Sequence, residues 1–521
     1  MSEEKRTAEK KTAARNGVRR MVLVGISLLL EMVFLVVVFS RLSAYAEWIS
    51  MTVRVLALIV ILTIYCQNKT PSVKMPWIIL TLTFPVLGLI LYVLIGVDRS
   101  TRKMRRRYRQ IDEKLLPLLH QDETVFQELE QADKRVANIS RYIVRYSGYP
   151  VYRNTDVVYH DQAPAALERL LEELEKAEQF IFMEYHAIED GEVFHRVEEI
   201  LRRKVEQGVE VRLFYDDMGS IWFISTDFAR RMRSQGIKCR VFNPFAPGLN
   251  LFLNNRDHRK ITVIDGKVAF TGGYNLANEY FGLTHPYGHW KDTGVMLTGD
   301  AVRSLTVTFL EMWNAAKDND LDDLYYEQYL PFVPYTAEGR GFVQPYADNP
   351  IDQEHVGEEV YMSIAERATD YLYFMTPYLI ITDEMIHTLS LAAKRGVDVR
   401  IVTPGIPDKK ITYTVTRSYY NSLARNGVRI FEYTPGFCHG KMCVCDDDLA
   451  TCGSINLDFR SLYHHFENGC LFYDCQTVEE IRADFDRVFP QCREVTEKYR
   501  SGLTVPMRVA QLLLRIVSPL L

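Results

Sequence analysis

Two short stretches of this 521-residue chain repeat one spacing of chemically useful side chains. His258-Arg259-Lys260-Ile261-Thr262-Val263-Ile264-Asp265 and His439-Gly440-Lys441-Met442-Cys443-Val444-Cys445-Asp446 both read H-x-K-x-x-x-x-D. Each is soon followed by a small loop that carries an asparagine, Thr271-Gly272-Gly273-Tyr274-Asn275 and Cys452-Gly453-Ser454-Ile455-Asn456. On a strand, residues i and i+2 share a face, so His258 projects with Lys260 and His439 with Lys441. A neutral imidazole can attack phosphorus, and a protonated one can return a proton to a leaving alkoxide. Lysine and amide donors suit the non-bridging oxygens of a phosphate, which makes Asn275 and Asn456 candidate substrate-binding residues. Two such sets facing one another supply a nucleophile, an acid and a charged cradle without a metal. Polar-ended strands would explain one match, but not two in the same context.

Asp265 and Asp446 complete the pattern and so enter the candidate catalytic set. Yet seven extended steps of ~3.3 Å separate each from its own histidine, roughly 23 Å in all. That reach predicts bonds to loop backbone rather than proton transfer. Another carboxylate must then fix the tautomer of each imidazole. Glu279, after the first glycine loop, and Glu467, in His465-Phe466-Glu467-Asn468, follow the two motifs at similar offsets and are the candidates.

The elements around the motifs also repeat. Glu206-Gln207-Gly208-Val209-Glu210-Val211-Arg212-Leu213 resembles Lys394-Arg395-Gly396-Val397-Asp398-Val399-Arg400-Ile401, each a helix end leading into a buried strand. Ser234-Gln235-Gly236-Ile237-Lys238 parallels Arg425-Asn426-Gly427-Val428-Arg429, and Phe180–Met183 and Tyr371–Met375 read as earlier strands. Strands alternating with helices predict an α/β chain of two halves with mostly parallel sheets. The halves would meet at one cleft, each bringing one histidine and one lysine. The boundaries expected are 148–330 for the first half and 331–500 for the second, packed as a pseudo-dimer.

These strings resemble the phospholipase D superfamily. Asn255-Arg256-Asp257-His258-Arg259-Lys260, Gly272-Gly273-Tyr274-Asn275, Trp290-Lys291-Asp292 and Gly453-Ser454-Ile455-Asn456-Leu457-Asp458-Phe459-Arg460-Ser461 are similar to its bacterial cardiolipin synthase branch. The resemblance runs from about Phe84 to the C-terminus. It implies a covalent phosphohistidine intermediate and no cofactor or metal. It also implies transfer of a phosphatidyl group from one phosphatidylglycerol to another with release of glycerol, His258 being the nucleophile and His439 the acid/base. Hydrolysis to phosphatidic acid by a phospholipase D is the nearest alternative reading. A membrane-bound nuclease is a weaker one, because membrane runs argue against it and no aromatic-basic stripe marks a nucleic-acid partner. A degenerate membrane scaffold would lack a motif histidine or lysine, and none is lacking.

The balance of charge is mildly acidic, −5 over the whole chain, but the first hundred residues are very apolar. Met21–Phe39, Trp48–Tyr65 and Pro76–Val97 are long enough to be membrane spans, interrupted only by Glu31 and Arg54, and no small-residue cleavage site follows the first. The pattern Pro85-x-x-Gly88-x-x-x-Tyr92-x-x-x-Gly96 is again similar to the synthases. Residues 1–100 are thus expected to be a multi-pass anchor in a bacterial plasma membrane. Basic residues crowd both ends of it, which favours a cytoplasmic catalytic region held against anionic headgroups. Two basic ends on one side do not agree with three spans, so one run must lie in the interface or re-enter. Residues 101–147 read as a charged helical linker without chemistry, and 501–521 as an amphipathic segment packed on the second half near the membrane.

Cys438, Cys443, Cys445 and Cys452 crowd the second motif, but their spacing matches no standard metal pattern. Small core residues are the simpler reading. No disulfide framework is evident, as expected in a reducing compartment.

Overall fold

The computed structural model describes residues 47–67, 70–93, 101–244, 255–316, 325–352 and 354–501, with scattered helical positions between 22 and 41 and at 514–515. Helix α1 (Glu47–Tyr65) coincides with the second predicted run, and buries few of its side chains in the protein. Among the described residues it is the one helix long and apolar enough to cross a bilayer. The third run is not a single helix. It is split between α2 (Pro71–Thr83) and α3 (Pro85–Leu91), with Phe84 outside helical geometry at φ −131° and ψ 76°. Pro85 causes the break, because it has no N–H for the ladder and forces the preceding residue out of the helical region. The first run and the C-terminal segment lie mostly outside the described residues. Of the latter, Arg515 donates to Ser422 Oγ at 2.7 Å.

Three helices follow, α4 (Thr101–Leu115), α5 (Glu123–Ala132) and α6 (Lys134–Ser147). Asp122 and Asp133 cap the last two, accepting from Thr124 N at 2.8 Å and Arg135 N at 2.7 Å. They are not a solvated spacer, since Tyr108, Leu115, Ile139 and Ile143 are buried in the main core.

The first half forms a seven-stranded sheet, in the order β1 (Thr155–His160), β9 (Gly294–Gly299), β7 (Val268–Gly272), β6 (Lys260–Ile264), β2 (Phe180–Tyr185), β3 (Glu210–Asp216) and β4 (Lys238–Phe242). The second half repeats that order with β10 (Phe342–Asp348), β19 (His465–Tyr473), β17 (Leu449–Gly453), β16 (Met442–Cys445), β11 (Tyr371–Met375), β13 (Asp398–Pro404) and β14 (Arg429–Tyr433). It adds β20 (Cys492–Glu494) at the edge. The expectation of mostly parallel sheets is wrong. Along these two strand orders only β2-β3-β4 and β11-β13-β14 run parallel, and the other neighbours are antiparallel.

The reason lies in the last letter of each motif. Asp265 and Gly266 both have positive φ (52° and 64°), as do Asp446 and Asp447 (51° and 58°). Two successive left-handed residues make the tight turn that folds a strand back as a hairpin, so β6–β7 and β16–β17 are hairpins rather than crossovers.

The halves also share strands and core. β5 (Arg256–Asp257) pairs in parallel with the start of β19, and β8 (His289–Lys291) pairs with β15 (Gly436–Cys438). Helix α7 (Val302–Ala315) is buried along its whole length. Its Phe309 stacks on Phe182 at 4.7 Å, within a continuous core that takes side chains from both halves. Each buried aromatic there contributes on the order of 1.5–3 kcal/mol.

Candidate functional site

His258 ends the short segment that β5 begins, and His439 stands between β15 and β16. Both are therefore held where the strands of one half run against the other. The His258 backbone N–H donates to Phe466 O at 2.9 Å, and that of His439 to Lys291 O at 2.7 Å. The side chains cross in the same way. His258 Nδ1 donates to Glu467 Oε1 at 2.8 Å, and His439 Nδ1 donates to Asp292 Oδ2 at 2.7 Å. The second half's carboxylate thus orients the first half's histidine, and the reverse holds for the other pair. With Nδ1 bound as N–H, Nε2 of each ring carries the lone pair.

Glu467 and Asp292 occupy matching places. Each lies two residues before a glycine, Gly469 or Gly294, that pairs with the glycine of its own half's loop, Gly453 or Gly272. Glu467 is fixed by hydroxyls, accepting from Ser454 and, at 2.7 Å, from Ser461. At the place of Ser454 the first half has Gly273, where a Cβ would fall 2.1 Å from Asp292 Oδ1. Asp292 instead accepts the Thr293 backbone N–H at 2.9 Å. Burial alone would raise both carboxyls, but the facing imidazoles and lysines outweigh it and hold them below the usual range.

Burial lowers His258 to about 3, against the opposing pull of Glu467, and His439 to about 4. Both rings are neutral at rest. Lys260 and Lys441 are 1 % exposed and each donates to the carbonyl of its own motif histidine. Burial lowers Lys260 to about 7 against the pull of Glu467, the like charge of Lys441 adding to the shift, and burial lowers Lys441 to about 8. Two buried, easily deprotonated ammonium groups thus stand beside the motif histidines.

Other sequence candidates fall elsewhere. Glu279 orients neither motif histidine: its carboxyl lies near Glu189, Asp408 and Lys409, where burial and the two acids raise it to about 7. Asp265 accepts three backbone N–H groups, from Glu178, Gln179 and Phe180, each at 2.8 Å. Asp446 does the same for Thr369, Asp370 and Tyr371 at 2.8–2.9 Å. Each aspartate therefore ties its hairpin to the start of β2 or β11, far from its histidine. Both polar atoms of Asn275 are engaged. Oδ1 accepts from Ala187 N at 3.0 Å, and Nδ2 donates to the hydroxyl of Tyr280, whose ring lies 5.2 Å from that of His439. Asn456 is buried, and its Oδ1 has no partner among the described residues. The cysteines are free thiols, and burial pushes Cys443 and Cys452 up to about 12, which leaves them poor metal ligands and nucleophiles.

The chain is similar to known proteins in sequence and in fold. The family model described as "Cardiolipin synthase, PLD-like domain" matches residues 170–313 and 361–489, one segment over each motif. A second, "Phospholipase_D-nuclease N-terminal", matches residues 54–96. The chain is 31 % identical over 461 residues to a cardiolipin synthase of Geobacillus kaustophilus, 88 % of this chain and 91 % of that one. The chain belongs to the cardiolipin synthase family of phospholipase D-like enzymes. Cardiolipin synthase 2 of Bacillus anthracis is 30 % identical, with 88 % of each chain covered. A crystal structure of a phosphatidylserine synthase from Haemophilus influenzae shares the fold, with a TM-score of 0.55 at 13 % identity over 74 % of this chain and 99 % of that one.

Within this cardiolipin synthase fold, residues that the motifs do not announce complete the site. Asp292 is one. Arg259, between His258 and Lys260, is fully buried; it donates to Thr308 O at 3.0 Å and from Nη2 to the hydroxyl of Tyr108 at 2.9 Å. Behind it lie Glu184 and Asp257, both wholly buried. The second half has Met375, Cys438 and Gly440 in the corresponding places. The first motif thus rests on buried charge and the second on apolar packing. A signal for Asp292 exists, its place two residues before a glycine that matches Glu467, but it emerges only once the two sheets are aligned.

Proposed function

We propose that the protein is a cardiolipin synthase that moves a phosphatidyl group between two phosphatidylglycerol molecules. The observation that carries this is the crossed pair of imidazoles. Each is fixed by a carboxylate of the other half, and the two buried lysines stand beside them, in a chain of the cardiolipin synthase family. Nε2 of His258 attacks phosphorus, and the bond to the departing glycerol oxygen breaks as His439 protonates that oxygen. An anionic phosphodiester beside His439 favours the imidazolium, so substrate binding raises the low resting value and arms the acid. Neutral His439 then takes the proton of a hydroxyl on the second phosphatidylglycerol. That oxygen displaces His258, forming cardiolipin and restoring both rings. Lys260 and Lys441 stabilise the five-coordinate charge, while Asn275 supports the loop beneath His439.

In this reading α1 anchors a multi-pass enzyme whose catalytic halves face the cytoplasm, with the basic segment around Arg105–Arg107 against anionic headgroups. The test is to incubate purified protein in vesicles of labelled phosphatidylglycerol. Cardiolipin and glycerol in equal amounts are expected. Phosphatidic acid as sole phospholipid product would overturn the reading in favour of hydrolysis. A phosphoenzyme trapped in His439→Ala but absent from His258→Ala would fix the order of attack, and the reverse result would exchange the two roles.

A further inference from the structure

His465 is unexplained by the chemistry above. It is 9 % exposed, and neither ring nitrogen has a hydrogen-bond partner among the described residues. A buried imidazole without a hydrogen bond is costly, so its place calls for a reason. Its ring centroid is 5.4 Å from that of His258, and its Nδ1 is 3.7 Å from Glu467 Oε1, beyond hydrogen-bonding reach. The same Oε1 is 2.8 Å from His258 Nδ1. One ligand atom from each of His258, His465 and Glu467 thus falls within a 4.8 Å span, all buried.

A tetrahedral zinc ion holds its ligands at roughly 2.0–2.2 Å, which separates neighbouring ligand atoms by about 3.3 Å. The observed separations of 2.8 and 3.7 Å bracket that spacing. The carboxylate is already steadied by Ser454 and Ser461, the kind of outer hydrogen bonding that metal sites need. A third imidazole, His186, lies 4.8 Å from the His258 ring and donates Nδ1–H to Asp257 O at 2.7 Å. Nitrogen-rich surroundings with one carboxylate select a borderline ion such as Zn2+ over Mg2+.

We propose that His258, His465 and Glu467 form an inhibitory zinc site. Zn2+ would replace the proton on His258 Nδ1 and take the carboxylate that orients the ring. The remaining fourth position would hold water. The motif histidine would then lose both its orientation and much of the basicity of Nε2, and activity would stop until a chelator removed the ion.

Binding is tested independently of the reaction, on full-length protein in detergent. Equilibrium dialysis with metal analysis is expected to find a Zn2+ site that weakens by more than about tenfold in His465→Gln. Wild-type turnover on phosphatidylglycerol vesicles is expected to fall with added Zn2+, recover with EDTA and ignore Mg2+, while His465→Gln keeps its turnover in Zn2+. Equal zinc affinity or equal zinc sensitivity in wild type and variant would overturn the proposal. Co2+ loading of the wild-type protein supplies a readout that needs no variant. Visible d–d bands without thiolate charge transfer are expected, and a thiolate band would place the metal on a cysteine and sink the idea. Zinc binding that survives these tests in a protein that makes only phosphatidic acid would overturn the synthase reading and leave the metal site standing.

Discussion

Arg259 Nη2 donates to the hydroxyl of Tyr108 at 2.9 Å, joining the first helix after the apolar N-terminal segment to the middle residue of the first motif. Tyr108 also donates to Glu311 Oε2 at 3.3 Å, and its ring packs 5.5 Å from Phe466, whose carbonyl holds the His258 N–H. The segment expected to be a bare linker is therefore part of the wall behind His258.

Tyr108→Phe keeps the ring and removes the hydroxyl, which leaves a buried guanidinium and a buried carboxylate each short of a partner. A loss of about 1–3 kcal/mol in unfolding free energy is expected. A fall in kcat with KM little changed should accompany it, because His258 is displaced while the lipid-binding surface is not. An unaltered kcat in a destabilised variant would show that Tyr108 serves the fold alone.

The crossed carboxylates predict a contrast among three acidic residues. Asp292→Ala and Glu467→Ala each free an imidazole to adopt the wrong tautomer, and each should lower kcat by about 10²–10⁴-fold. Glu279→Gln, whose carboxyl lies away from both rings, should stay within about threefold of wild type, a spread typical of residues outside a network. Initial rates on the same vesicles decide it. A collapse in Glu279→Gln with activity retained in Asp292→Ala would refute the assignment.

Lys441 carries a pH signature. Burial lowers it to about 8 in the free protein, so its ammonium is present below that pH and lost above it. kcat/KM, which reports the free enzyme, should therefore fall as pH rises through about 7, where Lys260 loses its proton, and again through about 8, where Lys441 does. Lys441→Arg holds its charge to far higher pH, so any residual activity in that variant should lose the second of these limbs. An identical second limb in the variant would assign the titration to another group.

Asp265 and Asp446 should behave as parts of the fold. Replacing either with Ala strands three backbone N–H groups and should cost about 1–3 kcal/mol or more in stability. Turnover per folded molecule should hold within about threefold, because neither carboxylate approaches an imidazole. Denaturant melts paired with rates normalised to the folded fraction separate the two effects.

The two-half architecture is legible in the sequence, because a repeated glycine-to-strand junction and a repeated motif are local patterns. The sheet direction is not. Asp265-Gly266 is a hairpin signal that the alternation of strand and helix obscures, and Asp446-Asp447 replaces the glycine with a second aspartate at φ 58°. The helix break at Pro85 is legible in principle, since hydropathy alone joins what proline divides. Glu467 is legible as a histidine-orienting acid, but not its partner. Offsets along the chain tie it to His439, whereas β5 and β19 bring it to His258. Tyr108 could not be found this way, because nothing local to a basic helix announces which face meets a motif some 150 residues on.

The pairing of β5 with β19 and of β8 with β15 has an evolutionary consequence. Gene duplication usually frees one copy to decay or to take up another task. Here each copy completes the other's histidine, so a lesion in either removes a working part from both. The chain is in effect an obligate heterodimer written as one polypeptide, and neither half is spare.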